Sequence, residues 1–373
     1  MMAYHLTAIG DEAGLLGLEP AWVALSATAL TGTIFASFAW AVAWWHHFGG
    51  RGQLYLIAVY DGAGRLVGLA PLLRPAGSTP RKLVFLGTGL GDVGDVLVAT
   101  DVAVPVVAAI LDYLSSHAGD WDLLDLDEIP PYSPLAPHLH DPAPAGLTVR
   151  TLPRTECPYI PLPATWEAYL AGLPHTARRQ LVTKTQRFIA EHGASFQLVT
   201  TPAAVPAAVA RFHALHLARW QVKDAPLDSV HLLPAFLPFL TELCTRAADA
   251  GTLRLAELWV GAVPIAAWIS FLVQGRWSGY MTGFDPAWSR YRPGKVLHSF
   301  VVQQAIAAGA TELDFGRGAE AYKYELGAVT RRNSRAVLAN STLRSALAMT
   351  LAGAGIEGRA ALHRMHWPHT APD

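Results

Sequence analysis

Cysteine is almost missing from this 373-residue sequence: Cys157 and Cys244 stand far apart and outside any CxxC pattern. That excludes a disulfide framework and a cysteine-based zinc site, and it fits a reducing compartment. Charge is scarce too, at 15% of residues against 52% hydrophobic, with a net balance of −1. Such a chain builds a large interior rather than staying disordered. Near-neutrality removes any global pull toward nucleic acid or an anionic membrane, so a polyanion must be held by local basic clusters. HExxH does not occur, and His363 and His366 have no acidic partner nearby, so no metal is expected. GxSxG is also absent, which argues against a hydrolase nucleophile elbow.

Pro20 to Trp45 contains no charged residue and is long enough to span a bilayer. Thr31-Gly32-Thr33 interrupts it, Ala, Ser and Thr dominate over Leu and Ile, and strong Lys or Arg anchors are missing. Two buried helices joined by a turn are expected there, without a transmembrane anchor. Met1 to Gly10 has no basic region and runs into Asp11 and Glu12, which does not read as a secretory signal. The expected location is cytoplasmic.

What is present is a repeat. Leu54–Tyr60, a turn at Asp61–Arg65 and Leu66–Leu73 form an apolar run, a Gly-containing turn and a second apolar run. Leu253–Val260, Gly261-Ala262 and Val263–Ile269 repeat the device. Each has the signature of a β-hairpin, and runs so continuously apolar suit strands covered on both faces by helices. After the first hairpin come strands at Leu83–Leu86 and Val96–Ala99, a helix over Val104–His117 and a strand over Trp121–Leu126. After the second come a strand over Trp277–Thr282, a helix over Lys295–Ala308 and a strand over Glu312–Phe315. Both halves read hairpin–strand–helix–strand, as two homologous α/β units would. Pro130 to Pro163, dense in Pro and His, marks the boundary. The expected organisation is an N-terminal unit over 1–155, a C-terminal unit over 156–345 and a tail over 346–373. Further helices are expected over Ala177–His192 and Ala203–Trp220.

These residues resemble the GNAT superfamily, and within it the CelD-like acetyltransferases and the FemABX peptidyltransferases. Phe35–Trp40 through Trp44–Gly49 is similar to the opening helix of the first unit, and Gly283–Gly294 to the segment leading into the central helix of the second. Asp314-Phe315-Gly316-Arg317-Gly318, followed by Tyr322-Lys323-Tyr324-Glu325, is similar to the paired Asp-Phe-Gly and Phe-Lys elements of FemABX proteins. The resemblance covers roughly Phe35 to Asn340 and rests on the order of motifs rather than on any single one. It implies two tandem GNAT units with mixed sheets, transfer of an acyl group to an amine or a hydroxyl, and acetyl-CoA or another acyl-CoA as co-substrate. It also implies a small-molecule or glycan acceptor, including nucleotide-linked sugars, from cell-envelope or polysaccharide building. One departure stands out: in Arg290-Tyr291-Arg292-Pro293-Gly294-Lys295, Pro293 occupies the place of the first glycine of the usual cofactor loop.

Several residues carry two readings. Arg290, Tyr291, Arg292, Gly294 and Lys295 lie at a strand-to-helix junction, where first-turn amides and cations can hold a pyrophosphate. Three cations at a helix N-terminus oppose the dipole unless an anion is present. Amine attack on a thioester needs a base, an oxyanion donor and an acid for the thiolate. Asp314 or Glu320 can be the base, Tyr322 the acid, and Lys323 or Arg317 an anion clamp; an Asp314–arginine ion pair that fixes the strand end is the other reading. Arg178 and Arg179 can grip acceptor phosphates, whereas Lys184 and Arg187 read as a solvated face. Asp92 and Asp95 can bind acceptor hydroxyls or shape the turn they sit in, and the turn is the favoured reading. Trp44, Trp45, Trp220 and Tyr280 can wall a sugar site or pack a core, and Trp220 is kept among the acceptor-binding candidates. The expected function is acyl-CoA-dependent N-acyltransfer by direct attack, with the chemistry in the second unit and no role for DNA. The alternatives are FemABX-like transfer from aminoacyl-tRNA, which near-neutral charge disfavours, and a non-catalytic GNAT scaffold.

Overall fold

In a computed structural model, residues 4–50, 52–139, 146–221 and 232–358 are described. The first half runs β1 (His5–Ile9), α1 (Glu12–Gly17), α2 (Glu19–Thr28), α3 (Phe38–Phe48), β2 (Gln53–Tyr60), β3 (Leu66–Arg74), β4 (Lys82–Phe85), β5 (Leu97–Val98), α4 (Ala103–Ser116) and β6 (Leu123–Ile129). Next come β7 (Thr148–Pro161), α5 (Trp166–Gly172), α6 (His175–His192), β8 (Ala194–Val199), α7 (Val205–Gln221) and α8 (Phe236–Asp249). The chain continues through β9 (Leu253–Val260), β10 (Val263–Val273), β11 (Arg276–Phe284), α9 (Pro293–Ala307), β12 (Glu312–Asp314), α10 (Ala321–Glu325), β13 (Val329–Ala339) and α11 (Leu343–Gly358).

The repeat read from the sequence is real in three dimensions. β1-β2-β3-β4-β6 and β8-β9-β10-β11-β12 are two five-strand runs, antiparallel throughout except for a parallel last pair, β4 with β6 and β11 with β12. The hairpin strands β2 and β3 are buried at almost every position because helices cover both faces. The apolar segment from Pro20 to Trp45 forms α2 and α3 around the turn at Thr31–Thr33. Among the described residues no helix is long and apolar enough to cross a membrane.

The expected boundary region holds instead the longest strand of the sheet. β7 crosses position 155, pairs with β12 at its end and lies against β13 along its length. β13, from near the C-terminus, returns to pair with β6 of the first half. Each half therefore lends one strand to the other, and the sheet is continuous in the order β1-β2-β3-β4-β6-β13-β7-β12-β11-β10-β9-β8. The sequence hides β7 because Pro153, Pro158 and Pro161 interrupt it and few of its residues are fully buried. Proline is tolerated beside the register shift between Arg332 and Ser334, where the ladder is already broken. The helical segment α11 begins at Leu343, so the expected tail start at 346 falls inside a helix.

The halves also share a core. Trp40 of α3 meets Phe239 of α8 edge-to-face at 5.5 Å, inside an apolar cluster that runs from Trp22 to Leu338. A second cluster under α6 and α9 contains Trp268, Trp277, Leu297 and Val301. Gln274, in the turn between β10 and β11, donates from Nε2 to the carbonyls of Ser26 (2.6 Å) and Ala29 (3.2 Å). Its side chain fills the space where a Cβ on Gly32 would lie, 2.1 Å from Gln274 Oε1. Trp40→Ala is expected to cost about 3–5 kcal/mol and to lower the melting of the whole chain as one calorimetric transition. A second transition left at the wild-type temperature would show that the halves melt independently.

Candidate active site

β11 and β12 run parallel for three residues, Arg276 with Glu312, Trp277 with Leu313 and Ser278 with Asp314, and then part because β12 ends. Gly279 and Gly316 flank the parting. A Cβ on Gly316, which has φ +69°, would lie 2.5 Å from Asp92 Oδ2 and 3.3 Å from the Gly279 carbonyl; one on Gly279 would lie 2.1 Å from the Trp268 ring. The absence of both side chains lets Asp92 approach from one face of the sheet and Trp268 from the other.

On the Asp92 face lies a cleft walled by Thr33, Phe35 and Asp92 of the first unit, by Ser278, Asp314 and Gly316 of the second, and by Arg331 and Asn333 on β13. Asp314 Oδ1 accepts from the Gly316 N–H at 2.8 Å, and Oδ2 accepts from Arg331 at 3.2 Å. Arg331 also donates to Glu312 at 2.6 Å and lies over Tyr159 and Tyr132. Burial pushes the Asp314 carboxyl up to about 6, against the pull of Arg331 and the Gly316 N–H, with Glu312 and Asp92 adding to the rise. Asp92 is buried and accepts from Arg317 Nε at 2.6 Å. Asn333 spans the first unit, donating to the Asp92 carbonyl and to Glu128. Asp95, held by Ser133 at 2.6 Å, is pushed up to about 7 by burial.

The repeat supplies an internal comparison. Asp125 stands in the first unit where Asp314 stands in the second, opposite Val84 as Asp314 is opposite Ser278. Asp125 receives two 2.7 Å bonds from Arg335 and has Lys82 at 3.8 Å, so cations fully match it. Asp314 has one arginine, Arg331, which it shares with Glu312, and Glu312 pairs with Arg276 as well at 2.7 Å. Asp314 is thus ion-paired at the strand end, while burial keeps its carboxyl raised. Asp92 and Asp95, read from sequence as turn formers, are buried in this charged assembly.

The remaining candidates fall into three groups. Lys323 is buried, and its Nζ donates to the carbonyls of Arg317 (3.0 Å), Gly318 (2.8 Å) and Gly316 (3.4 Å) and pairs with Glu320 at 2.9 Å. Its charge braces the 316–318 loop and is not aimed at an external anion. Burial pushes Glu320 up, but the Lys323 bond and charge hold it below the usual range. Tyr322 stacks on His298 at 5.2 Å, and burial, with Glu320, pushes its phenol up.

At the start of α9, Arg290 lies over the Tyr291 ring and donates to its hydroxyl at 2.6 Å. Lys295 is 2.7 Å and Arg292 3.7 Å from Glu325 of α10. The anion that these cations call for is therefore already supplied by the chain, which removes the argument that an outside anion is required there. Gly294 faces open space. Arg178 and Arg179 are exposed on α6, away from the residues lining the cleft, and the Trp220 side chain lies outside the described residues. So do His363 and His366; among the described residues no cluster of three or more His, Cys, Asp or Glu is placed to hold a metal. His298, with no motif around it, was not singled out by sequence.

A parallel strand pair thus parts near the start of α9, with a carboxylate at the parting. Residues 175–324 match the family described as the acetyltransferase (GNAT) domain. The chain's fold is similar to that of FemX (10% identity, 89% of this chain and 98% of that one covered, TM-score 0.63). It is also similar to the C-terminal domain described for a lysylphosphatidylglycerol synthetase of Agrobacterium fabrum (13%, 91% and 96%, 0.56) and to L-PGS from Bacillus licheniformis (13%, 82% and 89%, 0.50). At these identities the likeness is one of fold. No curated protein matches the sequence.

The raised Asp314 carboxyl has a sign that can be checked. Its folded value, about 6, lies above the ordinary 3.8, so the folded state holds the extra proton between those values. Stability falls as pH rises through this window, and the buried charge then costs roughly 3 kcal/mol. Asp314→Asn is expected to remove this slope, so that in urea unfolding the variant gains on wild type between pH 4.5 and 7.5. Equal pH dependence of the two proteins would assign Asp314 an ordinary carboxyl.

Proposed function

We propose that this protein is an N-acyltransferase that delivers an acyl group, acetyl being the simplest, from acyl-CoA to an amine held in the cleft between the two units. The supporting observation is the carboxylate-lined cleft. Asp92 and Asp314 line it at the strand parting, and burial pushes the Asp314 carboxyl up to about 6 despite Arg331. An entering ammonium brings a positive charge to it, and a carboxyl near 6 can then take the ammonium proton. Asp314 takes the ammonium proton; the freed nitrogen then forms its bond to the thioester carbon as the carbon–sulfur bond breaks, and its second proton restores the Tyr322 hydroxyl. Tyr322, kept protonated by burial, gives its proton to the departing thiolate. Arg317 fixes Asp92, while Lys323 and Glu320 fix the loop between them. The donor arm would lie on the α9 face and its pyrophosphate beside Arg290–Lys295, displacing Glu325. An acidic cleft suits a glycan or small-molecule amine better than a phosphate close to the reacting nitrogen, so a nucleotide-linked acceptor would keep its phosphates outside.

A second reading has one observation in its favour. Glu325 and Pro293 close the α9 N-terminus to a pyrophosphate, as a donor held elsewhere would allow. That donor would be an aminoacyl-tRNA, as the FemABX resemblance implies, in a cell-envelope or polysaccharide setting shared with the CelD-like group.

Calorimetric titration with acetyl-CoA and longer acyl-CoAs, followed by thiol release with a panel of amines, separates these readings. Glu325→Gln is expected to tighten CoA binding by about fivefold, the equivalent of roughly 1 kcal/mol. Thiol release should rise about tenfold per pH unit up to about pH 6 and then level, and Asp314→Asn should lower it at least ~100-fold. Absence of binding to any acyl-CoA, in wild type and in Glu325→Gln alike, would exclude the CoA reading.

A further inference from the structure

The last helix, α11, packs on the sheet by its small side chains and turns its large ones outward. Ser345 is buried, its hydroxyl donating to the Asp122 carbonyl, and Ala348 packs with Leu123 of β6 and with Val337 and Ala339 of β13. Leu343, Leu347 and Leu351 are instead 92%, 63% and 66% exposed. Their spacing of four residues sets them in one row along the outer side. Over 343–351 the only polar residues are Arg344, Ser345 and Thr350, so the helix is apolar on nearly every side, a pattern that belongs to helices covered all round. Single exposed leucines are ordinary; a row of three calls for a cover. The charge beside this row has one sign in excess. Asp122, wholly buried, faces Arg81 at 2.8 Å and Arg344 at 3.4 Å. Asp125 faces Arg335 at 2.7 Å and Lys82 at 3.8 Å. Each carboxylate answers two cations, which leaves one positive charge over at each. Asp120, the next acid toward Arg81, has Arg74 beside it. Alternate residues of a strand share a face, so Asp125 lies with Leu123, and Arg335 with Val337, on the side of the sheet that α11 covers. Lys82 is paired with Leu123, and Arg344 follows Leu343 directly, so these cations stand around the first turn of the helix.

We propose that α11 and the cations at its first turn form a docking surface for an anionic lipid bilayer. The leucine row enters the boundary between headgroups and acyl chains, while Arg81, Lys82 and Arg344 meet the lipid phosphates. An interfacial helix needs that combination, an apolar side with basic groups beside it, and need not span the membrane. A second copy of the chain fits less well. One row of leucines is narrow beside the roughly 800 Å² per partner that stable protein interfaces cover, and such a contact leaves the cations without a use. The sequence beyond α11 agrees, since residues 359–373 hold Arg359, Arg364 and Trp367, types that favour the membrane interface, against one acid, Asp373. The net charge of −1 does not oppose docking. At 0.1 M salt the attraction fades within about 10 Å, so the local cations decide it. This surface shares no residue with the carboxylate cleft, and the inference does not depend on the acyl-CoA reading.

The test is sedimentation of the full chain with vesicles of phosphatidylcholine alone and of phosphatidylcholine mixed with phosphatidylglycerol in equal parts. Retention on the mixed vesicles, weakened by salt, is expected, with little on the neutral ones. The double substitution Leu347→Ser, Leu351→Ser should lower that retention at least about tenfold. It should melt no lower than wild type, because both positions are exposed. Arg344→Gln should lower retention about fivefold, one cation's share at an anionic surface; Lys82→Gln repeats the comparison if loss of the Arg344–Asp122 pair disturbs the fold. Equal retention on the two kinds of vesicle, or retention unchanged in the leucine variant, would overturn the proposal. So would a wild type that ignores both vesicles, and if that protein sediments as a dimer which the leucine variant splits, the row belongs to a second copy.

Discussion

The architecture depends on the antiparallel pairing of β7 with β13. Each of these strands leaves its own half, pairs with the other's last parallel strand, and meets its counterpart at the centre. Without β13, β6 would present an open edge inside an apolar core; without β7, β12 would do the same. Such edges are costly because backbone donors and acceptors would be buried unpaired. Fold and site are thereby coupled, since Arg331, which holds Asp314 of the second unit, and Asn333, which holds the Asp92 carbonyl and Glu128 of the first, both stand on β13.

The same pairing accounts for the asymmetry of the two units. Their ladders match strand for strand, yet the equivalent aspartates differ in neutralisation: Asp125 has Arg335 and Lys82 to itself, whereas Asp314 shares Arg331 with Glu312. One copy of the fold has become a bracing joint, while in the other the same position holds a deeply buried carboxyl that burial pushes up. Such a carboxyl lowers stability once ionised, and sites that do chemistry commonly carry such a burden.

Much of the fold was legible because each hairpin is a continuous apolar run broken by a glycine turn, and its repetition exposed the duplication. β7 and β13 were not legible. Their pattern carries Pro153, Pro158, Arg331, Arg332 and Arg335, residues that read as loop until the cleft they face is known. The site was legible in part: Asp314 and Arg317 belong to one local motif, on either side of Gly316. Asp92 contributes from more than 200 positions away in sequence through Arg317, and no local pattern reports such a meeting. The ion pair at the α9 N-terminus was hidden for the same reason, because the anion facing Lys295 is Glu325, thirty positions on. Lys323 was identified as important, but its carbonyl partners, invisible in sequence, turn it from a clamp into a brace.

Gln274 has a consequence beyond packing. Its amide serves two carbonyls of the first unit while its stem fills the space a side chain at position 32 would need. Neither position is free to drift alone: a larger residue at Gly32 is admissible only with a shorter one at Gln274, and a shorter one there leaves the carbonyls of Ser26 and Ala29 unserved. Among descendants of this sequence the two positions should therefore covary, and the turn bearing Thr33 should be inherited together with the hairpin that holds it.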